Sequence, residues 1–250
     1  MATAETLGFL REALPPPPLR LLEVGCGRGD LAVRLKSLGH AVTALDRAPD
    51  AIGHARAAGL DAVEADFLNF DAEPFDVVLF SRSLHHIQPL GAALDRAAAL
   101  TRPGGLVVGE EFARERVDAE TAAWQADLEA LLAEVGLLPE VEGSPEDEPL
   151  TTWREHHARH QPPLATGAEM LAAIERRFEL LRVDERVPYH YRYAADRLPD
   201  SGLGVRLTRV LLDIERRRVR ASGQPWAGLR FVARARPTKV GDEGRNTGLT

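Results

Sequence analysis

Glu23, Gly25, Gly27, Gly29 and Asp30 fall within the stretch RLLEVGCGRGDLA, residues 20–32, and that mixture of acids and glycines describes a ligand. A glycine-rich turn from a strand into a helix presents backbone N–H groups and the positive end of a helix dipole, so it receives a polar or anionic group. A dinucleotide fits poorly. Its fingerprint, G-x-G-x-x-G, puts the third glycine at position 30, where this chain has Asp30, whose carboxylate would repel a pyrophosphate. Glu23 suits a cationic group, while the N–H groups of residues 25–29 suit a carboxylate. One carbon bearing both an ammonium and a carboxylate meets both demands, as does the amino-acid end of S-adenosylmethionine.

Two further acids extend the ligand. Asp46 ends a predicted strand 21 residues after Gly25, where a carboxylate accepts hydrogen bonds from both ribose hydroxyls. Asp66, in EADF, offers an acceptor to an adenine amino group, and Phe67 beside it can cover the ring face. The lesser alternative is that both acids are simple turn residues at strand ends.

Other side chains bear on chemistry near this ligand. His85 and His86 follow the fourth strand and serve either as a base for a hydroxyl or ammonium acceptor or as packing beside the cofactor. Tyr189, Tyr191 and Tyr193 alternate with His190 along an expected strand, which puts the three tyrosines on one face, as pocket lining or as sheet packing. In WREHHARH, His156 and His160 lie one helical turn apart, a metal-ligand spacing; with no metalloprotease-type Glu beside them and His157 between them, a wet helix face or an acceptor pocket is favoured over zinc, and no metal is expected. Glu110 and Glu111 are read as a substrate-cation site or as surface charge.

The elements that must position these groups follow from periodicity. Strands are expected over 19–24, 41–46, 61–66, 75–81 and 104–112, with helices over 30–39, 49–59 and 90–101 between them. Strands alternating with amphipathic helices mean βαβ units and a parallel sheet covered on both faces. Before them, residues 5–14 form a helix that four prolines, Pro15 to Pro18, stop. After them come a helix over 118–136, the acidic SPEDEP, a helix at 167–177, a strand over 178–193, a helix over 203–223 with Leu207, Val210, Leu211 and Ile214 on its apolar face, and a last strand at 228–236.

Through LLEVGCGRGDLA, ALD, EADF, FDVVLFSRSLHHI and LTRPGGLVVGEEF, residues 21–112 resemble the class I S-adenosylmethionine-dependent methyltransferases, in the small-molecule branch with an LHH element after strand four. The resemblance implies a doubly wound, Rossmann-like α/β fold whose seven-stranded, mostly parallel sheet has an antiparallel last strand, plus a helical insertion or lid. It implies cofactor contacts at Glu23, Gly25, Cys26, Gly27, Gly29, Asp46, Arg47, Asp66, Phe67, Phe80 and Ser81, and for the catalytic candidates His85 and His86 it favours packing beside the cofactor at least as much as base catalysis. One domain is expected over 1–240: a cofactor core at 19–112, insertions or lid at 113–165 and 194–226, C-terminal strands and helix at 166–193 and 227–237, and a flexible tail at 238–250. The expected partner is a small-molecule methyl acceptor. FSRS departs from the Asn/Asp-Pro-Pro-aromatic element of amino-methylating nucleic-acid enzymes, the single cysteine removes the covalent route to 5-methylcytosine, and no acidic triad for metal-dependent catechol methylation is evident.

Composition sets the remaining bounds. A chain of 250 residues, 44% hydrophobic and 28% charged, can bury a full core as one globular domain. No apolar run spans a bilayer and residues 1–18 lack the pattern of a signal peptide, so a cytoplasmic location is expected. The net charge of -7 divides unevenly, with 12 Arg and Lys against 26 Asp and Glu in residues 1–150, and 18 against 10 in residues 151–240. The basic half leaves RNA methylation through Arg216 to Arg220 as an alternative, alongside a non-catalytic S-adenosylmethionine-binding protein and, if Asp30 is tolerated, a nicotinamide oxidoreductase.

Overall fold

Residues 20–24 carry Leu21 and Leu22 side by side, and both are buried because the strand they form is covered on both faces. In the computed structural model, which describes residues 2–139, 148–222 and 226–236, this strand, β1 (Arg20–Val24), lies inside a seven-stranded sheet. The other strands are β2 (Ala41–Asp46), β3 (Asp61–Glu64), β4 (Phe75–Ser81), β5 (Thr101–Phe112), β6 (Phe178–Val187) and β7 (Gly228–Ala235), in the order β3-β2-β1-β4-β5-β7-β6. β7 runs antiparallel to both its neighbours and the other pairings are parallel, as expected. The strand order reverses between β1 and β4, and a crevice at the carboxyl ends of such a pair is where open α/β sheets hold ligands.

Helices α1 (Ala2–Ala13), α2 (Asp30–Ser37) and α3 (Pro49–Ala57) cover one face, α4 (Leu90–Leu100) and α7 (Gly167–Arg177) the other. Leu21, Leu35, Ile52 and Val108 pack on the first side, Leu22, Phe80, Leu94 and Ile174 on the second. Above the carboxyl edge stand α5 (Ala119–Glu134), α6 (Pro149–Ala158), α8 (Tyr191–Ala195) and α9 (Gly202–Ser222), which form the expected helical additions. Two smaller apolar clusters hold them: Leu132, Tyr191 and Leu211 in one, Phe112, Tyr189 and Trp226 in the other.

Two expectations are corrected. The strand read over 178–193 ends at Val187, because Pro188 has no N–H for a ladder and Glu215 of α9 accepts from the next three N–H groups, those of Tyr189 at 2.6 Å, His190 at 2.9 Å and Tyr191 at 2.7 Å. The chain there turns into α8, so the three tyrosines do not share a face: Tyr189 and Tyr193 line one cavity, while Tyr191 packs beside Leu132 and Leu211. On α9 the buried stripe is Thr208, Leu211, Leu212, Glu215 and Val219, and the expected face member Val210 is 53% exposed. A carboxylate at the middle of that stripe hid it from an apolar pattern. The expected tail at 238–250 lies outside the described residues.

Candidate functional site

The turn after β1 is shaped by its glycines. Gly25 has φ +69 and a Cβ there would meet the Ser83 Cβ at 2.6 Å; Gly29 has φ +86 and would strike Leu60 at 2.5 Å. These two are glycine for close packing and left-handed backbone. Gly27, φ +54, has nothing within 4 Å of its would-be Cβ, so this part of the loop faces open space. That space is a cavity of about 730 Å³ at the carboxyl edge, bounded on this side by Glu23, Gly25, Cys26, Gly27, Asp30 and Ser81.

Glu23 is 2% exposed; its carboxylate takes a backbone hydrogen bond from Ala32, while its Oε2 is buried with no hydrogen-bond partner among the described residues. Burial, aided by Asp30 and Asp46, raises its pKa to about 8. A cation bound here would supply the missing partner and restore ordinary ionisation. The residues therefore fit an ammonium-bearing ligand, but the expectation that the N–H groups of residues 25–29 receive its carboxylate is corrected: Gly25 and Cys26 donate to the Leu45 carbonyl at 2.8 and 3.0 Å, Gly29 to the Cys26 carbonyl at 3.0 Å, and Gly27 to Asp46. Asp46 sits at the end of β2, where its Oδ2 accepts from Gly27 N–H and its Oδ1 from Ala48 N–H, both at 2.9 Å. Each oxygen keeps a further lone pair for a hydroxyl.

Not every expected contact reaches the cavity wall. Gly29, Asp46, Arg47, Asp66, Phe67 and Phe80 lie outside it. The Asp66 carboxylate caps its own turn through Leu68 N–H at 2.9 Å. Phe67 is buried, packed edge-on against buried Phe80 with ring centroids 5.6 Å apart. The Cys26 thiol lines the wall with its pKa pushed up to about 12, chiefly by burial, which makes it no nucleophile.

Across the cavity, a single helical turn over Leu84–His86 presents both histidines. Glu111 is fully buried and occupied on both oxygens: Oε1 accepts from Ser83 N–H at 3.1 Å and Leu84 N–H at 2.8 Å, and Oε2 lies 2.5 Å from His85 Nδ1. A carboxylate so placed accepts, so His85 donates from Nδ1 and keeps Nε2 as its available basic nitrogen. The His86 ring lies tilted beside it, centroids 4.2 Å apart, and burial lowers its pKa to about 4.

The far wall is aromatic. Phe112 stacks on Tyr189 at 4.4 Å, and Tyr193 and His157 stand alongside. His157 Nδ1 donates to the Trp153 carbonyl at 2.8 Å, leaving Nε2 to accept from the Tyr193 hydroxyl at 3.3 Å. Burial takes the His157 pKa down to about 4, so the ring is neutral near pH 7. His156 and His160 line the same wall, and among the described residues no group of three or more His, Cys, Asp or Glu side chains is placed to hold a metal ion.

The expectation that Glu110 and Glu111 form a cation site or surface charge is corrected: both are fully buried. Glu110 binds Arg192, Arg230 at 2.6 Å and the Thr6 hydroxyl at 2.8 Å; burial would raise its pKa, but the two guanidiniums outweigh that and hold it below the usual range. Sequence reasoning also missed Arg82, which holds φ +60 at the end of β4 and pairs with Asp196 at 2.6 Å, and Glu215, which turns the chain at Tyr189. Within the arginine-rich segment, Arg216 is tied to Glu5 and Asp213, and Arg218 to Glu120.

Residues 3–161 match the family described as a methyltransferase domain. The chain is similar to a ubiquinone biosynthesis O-methyltransferase of Xylella fastidiosa (strain 9a5c), 36% identical over 109 residues, which are 40% of this chain and 44% of that protein. Matches to curated relatives of this kind thus span half of their length or less. Among solved structures, an S-adenosylmethionine-dependent methyltransferase from Mesorhizobium loti superimposes with TM-score 0.56 at 20% identity, covering 91% of this chain and 96% of that one. The [4+2]-cyclase SpnF does so with TM-score 0.58 at 16% identity, covering 95% and 82%. Since a cyclase carries this fold too, the fold by itself does not name the reaction.

Proposed function

The chain belongs to the methyltransferase-domain family, and on that premise we propose that it transfers the methyl group of S-adenosylmethionine to a hydroxyl of a small aromatic acceptor. One observation carries the proposal: a single cavity joins a buried carboxylate with no cationic partner within salt-bridge distance among the described residues, Glu23, to a histidine oriented by a buried carboxylate, the His85–Glu111 couple. When bound, S-adenosylmethionine supplies a methyl group already activated on a sulfonium.

Glu23 holds the ammonium, and Asp46 offers its remaining lone pairs to ribose hydroxyls. Phe112, Tyr189 and Tyr193 grip the acceptor ring and exclude water. His85 takes the hydroxyl proton at Nε2, while Glu111 fixes the ring and stabilises the imidazolium that forms. The O-methyltransferases among its relatives support oxygen as the acceptor atom. The cavity's size, within the roughly 300–1,000 Å³ of small-ligand sites, supports a small molecule. No helix among the described residues is long and apolar enough to cross a membrane, and we keep the cytoplasm as the proposed location.

The test is transfer of labelled methyl from S-adenosylmethionine to a panel of hydroxylated aromatics and amines. Hydroxyl acceptors should take the label, and His85→Ala should abolish transfer while cofactor affinity persists. Labelling of amines alone, or full activity in His85→Ala, would contradict the assignment.

A further inference from the structure

Beside the His85–Glu111 couple the cavity wall gathers three further histidines: His86 from the turn after β4, His156 from α6 and His160 just beyond that helix. Ring centroids of His86 and His160 are 5.7 Å apart, and those of His156 and His160 6.3 Å. None of the three rings is hydrogen-bonded or ion-paired among the described residues, so their nitrogens are open to the cavity.

The charges around them are almost all of one sign. The groups that act most strongly on His86 and its neighbour His157 include His85, His156, His160, Arg47 after β2 and Arg114 after β5, with a single acid, Glu111. Glu111 is already engaged by His85 and two backbone N–H groups. Arg114 donates to the Leu164 carbonyl, and neither it nor Arg47 has an acidic partner among the described residues. The acids on the cavity wall are Glu23 and Asp30 at the glycine loop and Asp196, which Arg82 engages. This lobe therefore offers N–H donors and positive charge to whatever enters it, and a cleft of one sign draws the opposite charge.

We propose that the methyl acceptor carries a carboxylate seated between His86 and His160, which makes the substrate class a hydroxylated aromatic acid. The inference rests on the proposed transfer to an aromatic hydroxyl and adds the group that fixes the acceptor ring. His86 lies 4.2 Å from His85, and Phe112 6.2 Å from His85 and 5.7 Å from His157, centroid to centroid. One benzene ring against Phe112 thus has both His85 and His86 within reach of its substituents. A neutral imidazole keeps one N–H, so each ring donates to the carboxylate without being charged, and a proton gained on binding strengthens the pair. A neutral amide in place of the carboxylate lacks that charge.

The test uses 3- and 4-hydroxybenzoate and the two matching hydroxybenzamides, titrated calorimetrically at pH 7 into the full-length protein with and without S-adenosylhomocysteine. At least one hydroxybenzoate should bind about ten-fold or more tightly than its amide. His160→Ala, at a half-buried wall position, should weaken that hydroxybenzoate by about three-fold or more and its amide by less. Equal affinities for acid and amide, no binding of any of the four, or equal losses in His160→Ala would each overturn the carboxylate site. A second readout is the His86 imidazole in ¹⁵N-labelled protein. Burial holds its pKa near 4 in the free protein; with the hydroxybenzoate bound it should titrate above about 5, while the amide leaves it near 4. Identical titration in the two complexes would overturn the contact with His86. A hydroxybenzoate that binds as expected but takes no labelled methyl would count against the proposed transfer and leave the carboxylate site standing. Methylation of neutral phenols with no preference for a carboxylate would do the reverse.

Discussion

One wall of the cavity at the carboxyl edge of the sheet, from Glu23 to Asp30, is a single run of chain whose contribution is mostly backbone. The facing wall takes His85 from a turn after β4, Glu111 from β5, His157 from α6, and Tyr189 and Tyr193 from the segment after β6. The first is specified largely by its own sequence, because its glycines at φ +69, +54 and +86 answer a backbone demand within the run itself. The second exists only once distant elements meet, and buried carboxylates hold it: Glu110 for Arg192 and Arg230, Glu111 for His85, Glu215 for the turn at Tyr189. The glycine wall should therefore tolerate changes in the lid, while the facing wall should fail when any one carboxylate is lost.

The largest effect is expected at Glu110→Ala, which strands two arginines around a buried gap and should cost about 3–5 kcal/mol of stability in urea unfolding. A loss no greater than that of an exposed pair would remove the hub from the account. Next comes Glu111→Gln, which frees the His85 ring and should lower kcat by about 10²–10⁴ with little change in cofactor affinity. Equal losses of affinity and rate would instead make Glu111 a prop for the glycine wall through Ser83. Asp46→Ala should weaken S-adenosylhomocysteine binding by on the order of 1.5–3 kcal/mol per lost charge-assisted bond, measured by calorimetry. Unchanged affinity would leave Asp46 only its role of tying down Gly27 and Ala48.

The smallest effect concerns acid. His86 and His157 have pKa values lowered by burial to about 4, below the unfolded value near 6.5. Their neutral forms thus contribute stability that is full above about pH 6.5 and lost as pH falls toward 4. Unfolding midpoints measured between pH 7 and 4 should fall less steeply in His157→Gln, and parallel curves would show that the ring is solvated.

The same contrast explains what could be read from residues in order. The strands and helices of residues 20–112 follow from short apolar runs with turn residues between them, and the structure reproduces them with small changes at their ends. The glycine loop was legible because each glycine answers a local backbone demand. The strand expected to run to Tyr193 failed because its alternation resembled a sheet, while the deciding contact came from Glu215, 26 residues beyond Tyr189. Glu110 and Glu111 resembled surface charge for the same reason: their partners, Arg192, Arg230 and the ring of His85, lie far along the chain. The single available signal was two adjacent acids inside an otherwise apolar strand, where a buried charge requires a partner.

The central claim is that Glu23 waits protonated for an ammonium, and calorimetry of S-adenosylmethionine binding at pH 7 in buffers of different ionisation enthalpy tests it directly. With the Glu23 pKa near 8 in the free protein, binding should be about micromolar and should release a proton, and affinity should rise as pH approaches 8. Glu23→Gln should bind more weakly and release none. Absence of S-adenosylmethionine binding, or binding of a nicotinamide dinucleotide in its place, would contradict the account.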